Sequence, residues 1–435
     1  MNVALPFHRS LGGLGLLLIG LGFVCRAWGA PVAFPEFSVE SAQHYLEIVT
    51  PAFQAQAGDT AETFFILARL QNRSGHQDEA ERLARRATER DPHRADIQSF
   101  LGELFIQQDR LQEAAQCLRQ AIKLDPKRAA DHRKLGMVLD RLGDRAGARE
   151  EFTAGIRLTP ADATAELLLG RLLLDEKQPA EAAAHLTKAC QLDPASANAF
   201  YVLSQAQAQL GEEDAAQKNL KTFQQLKQKE KQSLAADDTA YDDRKVMRSV
   251  AAGFHTDAGT FFLQQGRADL AEAHLRQAMR INPDDTQPCE KLAPYYLRTG
   301  ALPSAREMYE NLTRLRPQQA AYHVNLGTVL LRLKEYPAAA EELKRALELD
   351  PKQPEALNNL TRFYLGARRD LPGAMALCRR LIDIEPTAVN YDLLAQVCHA
   401  NGQTNEARAA SAQAVERDPN NPIYRERQRR LAPNP

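Results

Sequence analysis

Apolar side chains recur along this chain three and four positions apart. Residues 95–108 carry Phe100, Leu101, Leu104 and Phe105. After a short turn near Asp109 and Arg110, the next stretch carries Ala114, Leu118, Ala121 and Leu124. This spacing puts one buried stripe on each of two helices. Gly102 lets the second helix approach closely. The pair stops at Asp125-Pro126, because proline lacks the N–H a helix interior needs and pushes the preceding residue away from helical dihedrals. Prolines recur at the same place: Pro92, Pro126, Pro160 and Pro194 lie 34 apart, and Pro283, Pro317, Pro351, Pro386 and Pro419 resume at 34, 34, 35 and 33. A fixed period of this size predicts stacked helix pairs, an architecture suited to holding other molecules.

The template slides along the chain. Leu135-Gly136, Ala148, Phe152 and Pro160 fill it in one unit; Leu169-Gly170, Ala182, Leu186, Ala189 and Pro194 in the next; Leu326-Gly327, Ala339, Leu343, Ala346 and Pro351 in the second half. In these residues the chain resembles the tetratricopeptide repeat family. The resemblance covers residues 61–422 and implies an all-α, right-handed superhelical solenoid of stacked antiparallel helix pairs. Ten units start near Ala61, Ala95, Ala129, Ala163, Ala197, Ala252, Thr286, Ala320, Pro354 and Ala388. Some depart from the pattern. Ser204 replaces the usual Gly, Pro294 inside a first helix predicts a kink, and one extra residue enters around residues 368–371.

Between Pro194 and Pro283 the spacing is 89, two periods and 21 more residues. The excess comes after Phe223. It reads as an overlong helix to about Ser233, an acidic turn through Asp237, Asp238, Asp242 and Asp243, and a helix restarting near Lys245. The expected organisation is a segment at 30–60 with a capping helix over residues 39–55, a first array at 61–228, a connector at 229–251, a second array at 252–422, and a C-terminal cap and tail at 423–435. Polar caps keep a solenoid soluble, which accounts for the arginines of residues 422–431.

Composition sharpens this picture at three points. The 435 residues, 44% hydrophobic and 26% charged, have a globular make-up, and a net charge of −1 argues against a general nucleic-acid binder. Residues 1–29 differ from the rest: Arg9, an uncharged apolar run over 11–24, and small residues at Ala27 and Gly29 read as a secretory signal peptide. Export would place the mature chain in the periplasm or outside the cell; an uncleaved segment would instead anchor it at the inner membrane, facing the periplasm. Cys117, Cys190, Cys289, Cys378 and Cys398 form no C-x-x-C and read as small buried hydrophobes. Cys378 and Cys398 fall on adjacent helices, where a disulfide is open to them after export.

Enzyme signatures are missing: the sequence holds no H-E-x-x-H, no Walker A loop and no G-x-S-x-G elbow. No cofactor or metal is expected. His255 and Asp257, two apart on a predicted helix, would face different directions. The resemblance implies that the first helix of each pair lines a concave groove that receives an extended peptide or partner helix. On that geometry the first array presents Phe65, Ile66, Phe100, Leu167, Leu168, Tyr201 and Val202 with Arg69, Arg133, Lys134 and Arg171, a mix suited to an apolar segment bearing acidic residues. The second array presents Asn325, Arg332, Asn358, Asn359 and Arg362. Asparagine both donates and accepts, so stacked asparagines can read a peptide backbone. Asn325 and Asn359 lie 34 apart and resemble two rungs of the asparagine ladder of some peptide-binding members. Reversing Arg133 and Arg171 together is expected to weaken partner capture and leave helicity intact. The function expected is a non-catalytic exported scaffold for another protein or peptide. A membrane-tethered assembly factor and a substrate-recognition subunit of a separate enzyme stand as alternatives.

Overall fold

The computed structural model describes residues 34–38, 42–236 and 243–432. The signal-peptide reading and most of the acidic turn lie outside these residues. The described residues form 22 helices and no strand. A single helix, α1 (Ala42–Ala57), precedes five antiparallel pairs: α2 (Ala61–Arg73) with α3 (Gln77–Arg90), α4 (Ala95–Gln107) with α5 (Leu111–Leu124), α6 (Ala129–Arg141) with α7 (Arg145–Leu158), α8 (Ala163–Asp175) with α9 (Pro179–Leu192), and α10 (Ala197–Gln209) with the long α11 (Glu213–Ala236). Then come α12 (Asp243–Gln264) and α13 (Ala268–Ile281). Four further pairs complete the series: α14 (Gln287–Thr299) with α15 (Leu302–Leu315), α16 (Ala320–Arg332) with α17 (Tyr336–Leu349), α18 (Pro354–Ala367) with α19 (Leu371–Ile384), and α20 (Ala388–Ala400) with α21 (Thr404–Arg417). The last helix, α22 (Pro422–Leu431), closes the stack. Contacts divide the chain into two compact units between Gly266 and Arg267.

Three local devices shape the pairs, and the second of them is present in every one. The first is close approach of the two helices. A Cβ added at Gly136 would come within 2.6 Å of the Phe152 ring, and one at Gly170 within 2.6 Å of Leu186 Cγ. The second is the turn inside the pair, which needs one residue in the left-handed region. Positive φ occurs at Gly75, Asp109, Lys177, Gly143 and Gly211 and again at Gly266, Gly300, Lys334, Arg368 and Gly402. Within each set of five these lie 34 apart, so the backbone keeps the period even where glycine is lost. The third is the stop between pairs. Asp91, Asp125, Asp193 and Asp350, each just before a proline, accept from the N–H two residues on at 3.0–3.1 Å. The carboxylate thus bridges a residue that has no N–H of its own.

Histidine–carboxylate pairs 19 residues apart tie the helices of three repeats together. His132 Nδ1 lies 2.6 Å from Glu151 and His323 Nδ1 lies 2.7 Å from Glu342. Their Nε2 atoms face the carbonyls of Pro126 and Pro317 at 3.2 and 3.0 Å, which fastens the preceding stop as well. In the fourth repeat the same two places hold the partners exchanged, with His185 Nδ1 2.6 Å from the buried Glu166.

In the first unit α12 packs against α1 and α2, at the beginning of the array. The Phe53 ring of α1 meets Phe254, Phe261 and Phe262 edge-on, with centroids 5.5, 6.1 and 5.8 Å away. Tyr45 Oη lies 2.7 Å from His255 Nε2, and both are buried. By sequence period α12 holds the first helix of the sixth repeat; by its contacts it belongs to the first unit.

The second unit buries Leu357, Cys378, Leu381, Leu393, Val397 and Cys398 in one cluster and Val324, Leu343, Ala346 and Leu360 in another. Cys117, Cys190, Cys289, Cys378 and Cys398 are all free thiols, so Cys378 and Cys398 share a core without a disulfide. Burial pushes the Cys378 thiol up to about 12. Helix α14 runs through Pro294 as one helix. In the cap, Arg427 holds Asp392 at 2.5 Å, while Tyr424 and Leu431 are buried.

Candidate partner-binding grooves

The residues assigned to the first groove divide into packing residues, internal ion pairs and a small exposed remainder. Phe65 and Phe100 are each 8% exposed, and their rings meet edge-on at 5.5 Å. Their aromatic faces therefore join α2 to α4, and the guanidinium groups of Arg69 and Arg94 lie 5.9 and 5.4 Å from the Phe65 ring. Ile66, Leu168 and Val202 are buried as well, and Leu167 is half-buried. Tyr201 differs. It is 39% exposed, with its ring tilted 5.1 Å from Phe223.

The cations assigned to this groove have partners. Arg69 and Arg73 each lie 3.2 Å from Asp257 of α12. Burial lifts the Asp257 carboxyl above its ordinary range against the pull of both arginines. Arg133 lies 3.1 Å from Asp162, at ion-pair distance without hydrogen-bond alignment. Lys134 pairs with Glu103, donates to Ser99 Oγ at 3.2 Å and lies 3.5 Å from Asp131. Asp131 is fully buried; Arg128 Nε and Ser99 Oγ donate to it at 2.6 and 2.5 Å. Arg141 pairs with Asp109. Arg171 is the loosest, 47% exposed and 3.8 Å from Asp140.

The asparagines of the second unit are not used alike. Asn359 Nδ2 donates to Thr328 Oγ1 at 3.0 Å and so ties α18 to α16. Asn358 Oδ1 accepts from Arg362 Nε at 2.6 Å. The Asn325 amide is half-buried and has no hydrogen-bond partner among the described residues. Arg332 gives one N–H to the Leu297 carbonyl at 3.0 Å, which places it over the C-terminal end of α14. Between α17, α18 and α19 a cleft of about 400 Å³ has Leu347, Leu360, Tyr364 and Leu377 on its floor and Lys344 and Asp370 on its rim.

Sequence reasoning missed the partner of Arg69. His255 and Asp257 do face different neighbours, but those neighbours are Tyr45 and the two arginines, about two hundred residues away in sequence. No local signal marks such a return; the displaced period after Phe223 was the one available clue. Among the described residues no three His, Cys, Asp or Glu side chains gather as a metal-binding group.

Similarity to known proteins lies in the repeats. Two family models described as tetratricopeptide repeat match this chain, one at residues 67–129, 133–197, 290–354 and 335–389, the other at 252–285 and 388–421. Similar curated proteins include the Hsp70-Hsp90 organizing protein of Triticum aestivum, 27% identical over 145 residues, which are 33% of this chain and 24% of that protein. U-box domain-containing protein 70 of Oryza sativa subsp. japonica is 29% identical over 121 residues, 28% of this chain and 15% of that protein. The chain thus spans a quarter or less of these relatives. Among solved structures, MamA has a TM-score of 0.38 at 20% identity, covering 42% of this chain and 98% of that one. PilF of Pseudomonas aeruginosa has a TM-score of 0.36 at 18% identity, covering 55% and 99%.

Proposed function

Because this chain belongs to the tetratricopeptide repeat family, we propose that it is a non-catalytic scaffold that binds a peptide or helix of another protein along the faces of its first helices. The observation that carries the reading is the repetition itself. Helix pairs with the same left-handed turn inside them run from Ala61 to Arg417, interrupted once, between α11 and α13. Such a stack sets side chains of successive first helices at regular intervals, which suits recognition of an extended segment. Tyr201 and Arg171 in the first unit, and Asn325 and Arg362 in the second, keep exposed surface or free hydrogen-bonding groups there. The apolar run of residues 11–24 and the small residues at Ala27 and Gly29 support export, with the mature chain acting in the periplasm or outside the cell.

Affinity capture from the envelope fraction of the source organism tests this. The bait is the mature chain, beside a Tyr201→Ala, Arg171→Gln variant and an Asn325→Ala, Arg362→Gln variant. A dominant protein lost with either pair of changes supports the scaffold. Capture that is the same with all three baits counts against both faces. N-terminal sequencing of the protein from its own membrane and soluble fractions separates a cleaved, exported scaffold from a membrane-tethered one, which keeps its first residues.

A further inference from the structure

The first array is left open at α11. Helix α9 packs on its own partner α8 and also on α10, the first helix of the next repeat. Helix α11 packs on α10, but the helix that follows it in sequence, α12, lies on α1 and α2 instead. The effect shows at equivalent positions, 34 residues apart. Leu186 is 0% exposed and Leu220 38%. Ala182 and Ala189 are buried where Ala216 and Phe223 are half-buried, and Leu174 is buried where Ala208 is exposed. No side chain of residues 213–232 is buried. Ala216, Leu220, Phe223 and Leu226, spaced four, three and three apart, thus leave an apolar stripe along α11. The first helix that would cover it in repeat order is engaged elsewhere, with Phe254, Phe261 and Phe262 of α12 buried against Phe53.

Helix α11 is also eleven residues longer than α10, so ~16 Å of it runs past its partner. Charge along it is segregated. Glu212, Glu213 and Asp214 stand at its start, and Lys227, Lys229 and Lys231 stand in the part that runs on. All six are exposed, and among the described residues only Lys227 has an ion-pair partner, Glu230 at 2.7 Å. The macrodipole favours this order within one helix. The same order makes two antiparallel copies of the helix complementary.

We infer that α11 is a self-association surface, on which two copies of this chain pair their α11 helices antiparallel. With Phe223 opposite Phe223, Leu220 of each copy meets Leu226 of the other. In that register Lys229 and Lys231 come level with residues 217 and 215 of the second copy, within a turn of its Glu213 and Asp214. The same contacts form twice, once at each end, as a two-fold interface requires. A parallel pair would set lysines against lysines and acids against acids. The inference goes beyond the scaffold reading: it uses a second helix rather than the first-helix faces, and it stands whether or not a peptide binds there.

The test is sedimentation velocity on the full mature chain over a concentration series. Wild type is expected to pass from monomer to dimer as concentration rises, and less readily as salt rises. Lys229→Glu with Lys231→Glu, and separately Glu213→Lys with Asp214→Lys, should each raise the dimer dissociation constant at least about tenfold. Helicity and thermal midpoint should stay in place, because all four side chains are exposed. An equimolar mixture of the two double variants should dimerise as well as wild type, since each copy then meets opposite charge at both ends. The mixture keeps the test apart from folding, because a variant that failed to fold could not restore association. Wild type that stays monomeric at every concentration overturns the inference, and so does a dimer that ignores both reversals or a mixture that stays monomeric. Binding to phosphatidylglycerol vesicles by a monomeric wild type, released by Lys229→Glu with Lys231→Glu, also overturns it and makes α11 a lipid-facing helix.

Discussion

Arg133 and Arg171 occupy first helices of adjacent repeats, and the sequence alone gives no reason to treat them differently. Arg133 lies 3.1 Å from Asp162, and Asp162 Oδ1 also accepts from Ala165 N at 3.0 Å to cap α8. Arg133→Glu therefore sets two carboxylates against each other at a helix start, and a urea titration should show a loss of about 1–2 kcal/mol. Arg171→Glu, half-exposed and 3.8 Å from Asp140, should change stability by less than about 0.5 kcal/mol. Equal effects would show that the Asp162 pair contributes nothing. Only Arg171 therefore serves to test partner capture apart from folding. Sequence reading finds the residue types on this face but not their partners, because Arg133–Asp162, Lys134–Glu103, Arg141–Asp109 and Arg171–Asp140 join residues 29 to 32 positions apart, across repeats. Burial sets the behaviour of one more residue. It drives the His274 imidazole from 6.5 down to about 3. The unfolded chain then binds a proton that the folded chain refuses, so the contribution of His274 is intact above pH 6.5 and is lost as pH falls toward 3. His274→Asn should flatten the fall of the thermal midpoint across that window; an unchanged profile would mean that other groups govern it.

At the scale of helices and turns, the reading from sequence comes close to the structure. The first helices at Ala61, Ala95, Ala129, Ala163, Ala197, Ala320, Pro354 and Ala388 begin where the repeat places them, and the last helix spans residues 422–431 as expected. These boundaries are legible because each has a local chemical cause: proline ends the second helix, and glycine or a substitute turns the chain inside the pair. The substitutes are less visible. Asp109, Lys177 and Lys334 adopt φ of 60, 61 and 64°, a region that costs an L side chain roughly 1 kcal/mol. Nothing in the residue types announces this; only the 34-residue register with Gly75, Gly143 and Gly300 does. Lys177→Gly and Lys334→Gly relieve the backbone, with part of the gain offset by the greater freedom of glycine in the unfolded chain. Each should raise stability by up to about 1 kcal/mol in chemical denaturation. Lower stability in both would mean that the turn is held by lysine contacts rather than by backbone conformation.

For the molecule as a whole, the least legible feature is the return of α12 to the start of the array. A repeat count looks along the chain and assigns Ala252 onward to the later repeats, whereas packing seats that helix on α1 and α2. The pattern could not show this, because the stripe of Phe254, Ala258, Phe261 and Phe262 fits either a neighbouring repeat or a distant one. In the structure the stripe covers Phe53, which is 1% exposed, and Asp257 faces Arg69 and Arg73 beside it. A solenoid end must be covered, and here a segment two hundred residues away does part of that work. The consequence is measurable with two fragments, both starting at residue 30. The one ending at Gly266 keeps α12; the one ending at Ala236 lacks it and bares Phe53, Tyr45 and the α2 arginines. Each fully buried aromatic stabilises a fold by about 1.5–3 kcal/mol, so losing the cover over Phe53 together with Phe254, Phe261 and Phe262 should lower the thermal midpoint of the shorter fragment clearly. It should also bind a hydrophobic dye, and Phe53→Ala should destabilise the longer fragment far more than the shorter one. If the two fragments melt alike and Phe53→Ala affects them equally, α12 is not part of the first folding unit, and the repeat pattern alone defines where the array begins.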